Sequence, residues 1–128
     1  MPSKNKKKRT FIDSVRDCLN GLSFVMISEH NFKREIILAM LTLIACYILK
    51  VSKIEFIIIL LVIALVIVSE IFNTAIEKTV DLCTREYNEI ARIAKDVSAG
   101  AVLTMCIFAF LIGIIIFMPK IIILIGGN

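Results

Sequence analysis

The stretch from Phe56 to Asp81, FIIILLVIALVIVSEIFNTAIEKTVD, decides how this chain folds. Phe56 to Val68 is apolar without a break, and neither Pro nor Gly interrupts the remainder. That run predicts a membrane-spanning helix over about 54–82, comfortably past the ~20 residues a span requires. Its character changes partway along. Glu70, Asn73, Glu77 and Asp81 recur at i, i+3, i+7 and i+11. At about 100° per residue they fall within roughly 80° of arc and share one face. Thr74 and Thr84 flank that face. Glu70 lies about fifteen residues beyond the outer end of the span, roughly 22 Å into a ~30 Å hydrocarbon slab. An acid at mid-bilayer costs on the order of 2.5–3.5 kcal/mol. Turned to lipid, Glu70 would protonate or unseat the helix. It is expected to face protein, a cavity or a partner.

Outward from this helix, the rest of the chain reads the same way. Of 128 residues, 59% are hydrophobic, and the mean hydropathy is +0.91. Those values exclude a soluble globular domain and a disordered chain. The length suits one domain. Fifteen Lys and Arg against eleven Asp and Glu give a net charge of +4. In a membrane protein that excess fits cationic loops beside anionic headgroups, and no nucleic-acid partner is expected. Residues 1–10 form a basic arm carrying Lys4, Lys6, Lys7, Lys8 and Arg9. It is followed over 11–28 by Phe11, Ile12, Val15, Cys18, Leu19 and Leu22 at helical spacing, with polar residues between them. This pattern predicts an amphipathic helix lying in the interface, not a cleaved leader. A first span is expected over 32–50, needing Phe32 and snorkelling Lys33 and Arg34 to reach the headgroups. A third is expected over 97–118, ending at Pro119-Lys120, with Ile121 to Asn128 as a frayed tail. Residues 11–128 thus form one all-α membrane domain of three spans and a surface helix.

Three spans put the termini on opposite sides of the membrane. Twelve Lys and Arg then fall on the side of the N-terminus, and only Lys50, Lys53 and Lys120 on the other. The positive-inside rule places the N-terminus in the cytoplasm. Among the acids only Glu55 lies on the far side, so any chemistry faces the cytoplasm.

Four cysteines, Cys18, Cys46, Cys83 and Cys106, form no CxxC pair, and the single histidine, His30, sits beside Glu29. Neither a zinc site nor a disulfide framework is expected. Glu70 and Asn73 taken alone would serve as hydrogen-bonding glue between helices, with Glu77 and Asp81 simply solvated. Asp96 could cap the third span, Lys95 could snorkel, and Glu29 could be an exposed loop acid. Taken together, several acids and one cation at one membrane surface suit a divalent metal and phosphate. Mg²⁺ takes oxygen ligands, typically one or two carboxylates completed by substrate phosphates and water. The five glycines build neither a P-loop nor a kinase-type Gly-rich loop, so bound ATP must be held by metal and scattered polar groups. A carboxylate set deeper, at Glu70, is placed to take a proton from a hydroxyl presented at headgroup level. Three helices leave most side chains facing outward, so the stripe would touch lipid in a lone chain. A small symmetric homo-oligomer with composite sites is expected to hide it.

Ser69 to Asp81 resembles the E-x-x-N-[ST]-A-I-E-x-x-V-D signature of the prokaryotic diacylglycerol kinase family. Ala94-Lys95-Asp96 and the small residues to Leu103 are similar to its second motif, and Glu29-x-x-Phe32-x-x-Glu35 to a third. NTAIE, AKD and the ending IGIIIFMPK look most like its undecaprenol kinase branch. The resemblance implies a homotrimer in the bacterial cytoplasmic membrane that phosphorylates a lipid alcohol with ATP and Mg²⁺. It implies Glu70 as proton acceptor, with Asn73 and Lys95 in catalysis, and Glu29 and Glu77 holding the metal. Nucleotide contacts would come from Asp17, Glu29, Glu77, Asp81, Glu86, Tyr87, Asn88, Lys95 and Asp96. Glu70, Phe32, Glu35 and Ala99 would meet the lipid. Asn88 stands where some members carry His, Asp17 where some carry an aromatic residue, and Thr10 where the family has Arg.

Two lipids fit this reading, undecaprenol first and diacylglycerol second. A small proton-coupled transporter would also use an intramembrane Glu, but it would not need the charged segment from Asp81 to Asp96. A structural membrane subunit leaves the polar stripe unexplained.

Overall fold

The computed structural model describes residues 9–126, so Lys4, Lys6, Lys7 and Lys8 of the basic arm lie outside the described residues. Four helices succeed one another: α1 Phe11–Ser28, α2 His30–Ile48, α3 Lys53–Cys83 and α4 Glu89–Gly126. The chain is all-α among the described residues, as its periodicity predicts.

Side-chain caps set three of the four helix starts, and α2 has none. Thr10 caps α1 in a reciprocal capping box with Asp13, and Ser52 caps α3 in the same way with Glu55. In both, a hydroxyl accepts an orphan N–H of the first turn while the acid returns to the cap's own N–H. Asn88 caps α4, its Oδ1 accepting from the Ile90 and Ala91 N–H groups at 2.9 and 3.1 Å. At Glu29 the backbone becomes extended (φ −100°, ψ 115°), which breaks the chain between α1 and α2. After α2 the Val51 N–H donates to Cys46 O and the Lys50 N–H to Tyr47 O. This is a Schellman ending, with Lys50 in the left-handed region at φ 48°.

α3 and α4 run antiparallel along their whole shared length. From Glu55 through Ile59 and Asn73 to Asp81, the partners on α4 descend from Lys120 through Ile116 and Ser98 to Lys95. Ion pairs close both ends: Lys120 Nζ lies 3.0 Å from Glu55 Oε2, and Lys95 Nζ 2.5 Å from Asp81 Oδ1. Cys46 of α2 joins Ile59 and Ile116 in a small buried cluster near the Glu55–Lys120 end. Elsewhere large apolar side chains point outward, including Leu61, Phe72, Phe110 and Ile115. At 1.5 Å per residue α3 extends about 46 Å and α4 about 57 Å, more than the ~30 Å of hydrocarbon. Both are long and apolar enough to cross a membrane.

Three expectations are corrected. The segment after Pro119 is not a frayed tail, because α4 continues through Pro119 to Gly126. Proline removes one hydrogen bond of the ladder, but Ile116 is buried just before it and Lys120 is paired just after it, which ties this part of α4 to α3. The helix of the expected third span, α4, begins at Glu89, not Val97, and the polar connection shrinks to Thr84–Asn88. Asp96 therefore lies inside α4, and Asn88 does the capping.

Candidate functional site

The polar face of α3 divides into two halves. Glu70 and Asn73 are buried, at 3% and 8% exposure, and Thr74 beside them is at 3%. Glu77 is half-buried and Asp81 exposed. This corrects the expectation that a lone chain leaves the whole stripe against lipid. Ser98 on α4 is buried against this face and donates its hydroxyl to Asn73 Oδ1 at 2.7 Å. Asn73 Nδ2 in turn donates toward Glu77 Oε1 at 3.4 Å. Glu70 opens into a cleft of about 310 Å³ that Asn31, Arg34, Glu35, Asn73 and Ala99 also line.

Further acids gather around Glu70. Glu29 and Glu77 both lie within its electrostatic reach, as does Glu35. Glu29 sits at the α1–α2 break, where its Oε1 accepts from Ser28 Oγ at 3.0 Å and lies 3.4 Å from Lys78 Nζ. Lys78 also stands 5.8 Å from the centre of the Phe24 ring, which ties α1 to α3. Glu35 Oε2 and Thr74 Oγ1 are buried with no hydrogen-bond partner among the described residues. No three metal-ligating side chains converge on one point among those residues. Glu29 and Glu77, both within reach of Glu70, are ligands of the type Mg²⁺ takes, one or two carboxylates completed by phosphate and water.

Toward the Thr84–Asn88 end of the pair, hydrogen bonding to Asp81, aided by the charges of Asp81 and Glu77, holds Lys95 above the ordinary lysine range. The Thr84–Asn88 connection is ordered by its own side chains, with Thr84 Oγ1 accepting from the Glu86 N–H at 3.2 Å and Tyr87 OH donating to Glu89 Oε2 at 2.7 Å. Arg92 bridges Glu89 and Asp96 at 2.7 and 2.8 Å. Its hydrogen bond to Glu89, and after it that of Tyr87, lowers the Glu89 pKa. Asp17, on exposed α1, is paired with Arg9.

The structure thus brings Glu70, Asn73, Glu35 and Ala99 to one cleft, with Glu29 and Glu77 beside it and the Asp81–Lys95 pair beyond. Asp17, Glu86, Tyr87, Asn88 and Asp96 sit at exposed positions, and Phe32 is packed inside at 4%. Sequence reasoning missed Asn31, Arg34 and Ser98 as neighbours of this site. Asn31 and Arg34 carried a signal, since they share a helix face with Glu35, whereas Ser98 reaches the site only through Asn73. A larger cleft of about 560 Å³ meets the first at Glu35 and Cys106. Its walls are almost wholly apolar, so the smaller cleft is where acid–base chemistry can occur.

Residues 16–117 match the family model described as prokaryotic diacylglycerol kinase. The chain is 40% identical over 116 residues to the undecaprenol kinase of Bacillus subtilis, covering 91% of both proteins. It is 34% identical over 107 residues to the diacylglycerol kinase of Synechocystis, covering 83% of this chain and 61% of that protein. With the diacylglycerol kinase of Haemophilus influenzae it shares 33% identity over 107 residues, covering 83% and 91%. Apolar helices with a buried carboxylate within an antiparallel pair, read with these similarities, define a membrane lipid kinase. The chain belongs to the prokaryotic diacylglycerol kinase family. Both the family resemblance and its undecaprenol kinase branch are borne out, and the transporter and structural-subunit readings are set aside.

Proposed function

We propose that this protein transfers the γ-phosphate of ATP to the primary hydroxyl of undecaprenol, yielding undecaprenyl phosphate and ADP. The observation that carries the reading is Glu70, buried at the floor of a cleft between α2, α3 and α4 with Glu35 and Asn73 beside it. Glu70 takes the hydroxyl proton as the alcohol oxygen bonds to the γ-phosphorus. The bond from that phosphorus to the β–γ bridging oxygen breaks, and ADP leaves with the electron pair. Little covalent chemistry falls to the protein in such a transfer, so positioning and electrostatics dominate. Lys95 neutralises charge on the transferring phosphate, Asn73 orients it, and Asp81 with the exposed polar residues Asp17, Glu86, Tyr87, Asn88 and Asp96 contacts the nucleotide. Held by Glu29 and Glu77, Mg²⁺ would supply charge neutralisation to the phosphates. Phe32, Glu35 and Ala99 belong to the lipid's side of the site.

In this reading α2 is a third span and α1 lies in the interface. The N-terminus and the site face the cytoplasm of a bacterial cell, which the distribution of Lys and Arg supports. The unit is a homotrimer whose neighbours complete the nucleotide site, since Asp81 and Arg85 to Asn88 are exposed in one protomer. Residues 1–10 act as an arm and 11–128 as the kinase domain. Diacylglycerol is the second substrate reading, favoured by the names of the Synechocystis and Haemophilus relatives.

One assay tests these points: purified protein in mixed micelles with Mg²⁺-ATP and either undecaprenol or diacylglycerol. Faster turnover of undecaprenol, lost in Glu70→Gln with the oligomer intact, is expected. Diacylglycerol turning over at least as fast would overturn the choice of lipid, and wild-type rates in the variant would remove Glu70 from its role.

A further inference from the structure

Lys78 follows Glu77 in sequence but points elsewhere. Adjacent residues of a helix stand about 100° apart, and Lys78 is the one turned toward α1. Its Nζ lies 3.4 Å from Glu29 Oε1 and 5.8 Å from the centre of the Phe24 ring. The same Glu29 oxygen accepts from Ser28 Oγ at 3.0 Å. Lys78 keeps 48% of its side chain accessible, and Glu29 only 21%. The Lys78 charge also reaches Asp81.

Charge explains why a lysine is held there. Glu29 and Glu77 both lie within electrostatic reach of Glu70, and carboxylates so gathered repel one another unless a cation joins them. Lys95 is committed to Asp81, and Arg92 to Glu89 and Asp96. Among the described residues, Lys78 is the cation paired with an acid of this group. A divalent cation on Glu29 needs the same carboxylate. Its two oxygens are close neighbours, so an ammonium on one and a divalent ion on the other repel strongly at short range. Lys78 must then give up Glu29, and the Phe24 ring face remains as a partner for the ammonium.

We propose that Lys78 is a placeholder cation, which neutralises Glu29 while no metal is bound and is displaced from that carboxylate when a divalent metal binds. The pair holds the acidic site together between turnovers and raises the metal concentration needed to fill it. This inference rests on the lipid kinase reading above for the assignment of Glu29 to the metal.

The full-length protein in micelles tests this without turnover. Thermal midpoints are measured in EDTA and through a Mg²⁺ titration, and Mn²⁺ binding is read from the loss of its free EPR signal. Lys78→Met is expected to lower the midpoint in EDTA, because Glu29 loses its partner. Its Mn²⁺ affinity is expected to rise about 2- to 5-fold, the effect of removing one partly exposed ion-pair competitor. These changes oppose each other, so the midpoints of variant and wild type converge at saturating Mg²⁺. A strut that only ties α1 to α3 would lower the midpoint equally with and without metal. Lys78→Arg, which keeps the charge, is expected to match the wild type in EDTA and to bind Mn²⁺ no more tightly. Lys78→Gln repeats the test of Lys78→Met with a polar side chain. In the Glu29→Gln background, Lys78→Met is expected to have no further effect on Mn²⁺ affinity. Unchanged or weaker Mn²⁺ binding in Lys78→Met, equal falls of the midpoint in EDTA and Mg²⁺, or the same gain in the Glu29→Gln background would each overturn the proposal. A wild-type protein that phosphorylates neither lipid would overturn the functional reading instead, and the metal titrations would still decide the role of Lys78.

Discussion

Lys95 Nζ stands 2.5 Å from Asp81 Oδ1, joining the second turn of α4 to the last turn of α3 across the Thr84–Asn88 connection. The pair is largely exposed, with 38% and 53% of the side chains accessible. Exposed ion pairs add little to stability, because water screens them and two long side chains lose freedom. The pair's value therefore lies in where it holds a positive charge: next to Glu77, at the mouth of the acidic site.

Replacing Lys95 with Met is expected to leave the thermal midpoint near that of the wild type. It is expected to lower kcat about 100-fold, as removal of one preorganised charge-stabilising donor does. Parallel thermal scans and turnover assays check this, and a large fall in the midpoint would make Lys95 a strut. Because Asp81 raises the Lys95 pKa, the lysine stays protonated through neutral pH. Any loss of activity between about pH 6 and 8 then comes from another group.

Lys50 occupies the left-handed position that ends α2, at φ 48°. A residue with a Cβ is strained there by about 1–2 kcal/mol, partly offset in a glycine variant by its more flexible unfolded chain. Lys50→Gly is expected to stabilise the protein by about 0.5–1 kcal/mol, and Lys50→Val to destabilise it. Unfolding in mixed micelles with increasing denaturing detergent measures both.

Asp13 accepts from the Thr10 backbone N–H at 3.0 Å and from the Thr10 hydroxyl at 2.8 Å, and these bonds, the backbone one first, lower its pKa. A carboxylate whose folded pKa is depressed stabilises the fold above its unfolded pKa, near about 3.9, and loses that contribution as pH falls through the folded value. The first turn of α1 is expected to be protected from amide exchange above about pH 4 and to fray below it. In Asp13→Ala that pH dependence should vanish from the amides of the first turn. A profile identical to the wild type would show that the box does not hold the helix start.

Much of the site was legible because helical periodicity is a property of the chain itself. Glu70 and Asn73 share a face by spacing alone, and an acid at that depth must be covered. What covers it was not legible. The pairing of Ser98 with Asn73 joins residues 25 positions apart, and nothing in either local pattern encodes it. Asp96 has the local pattern of a helix cap because it precedes a small-residue run, but Asn88 captures the free N–H groups eight residues earlier. Arg92 then holds Asp96 on the outer face of the helix.

The amino-acid order by itself determined that long apolar helices form, where α1 and α3 start, and which residues share the acidic face of α3, because each of these depends on neighbours within a turn or two. Only the tertiary structure decided that α4 passes through Pro119, that half of the acidic face is buried within a single chain, and that Asn73 presents its nitrogen toward Glu77. Those outcomes depend on the antiparallel register of α3 and α4, pinned by Glu55–Lys120 at one end and Asp81–Lys95 at the other. Such a register arises from packing and charge pairing between segments far apart in the chain, to which a local pattern is blind.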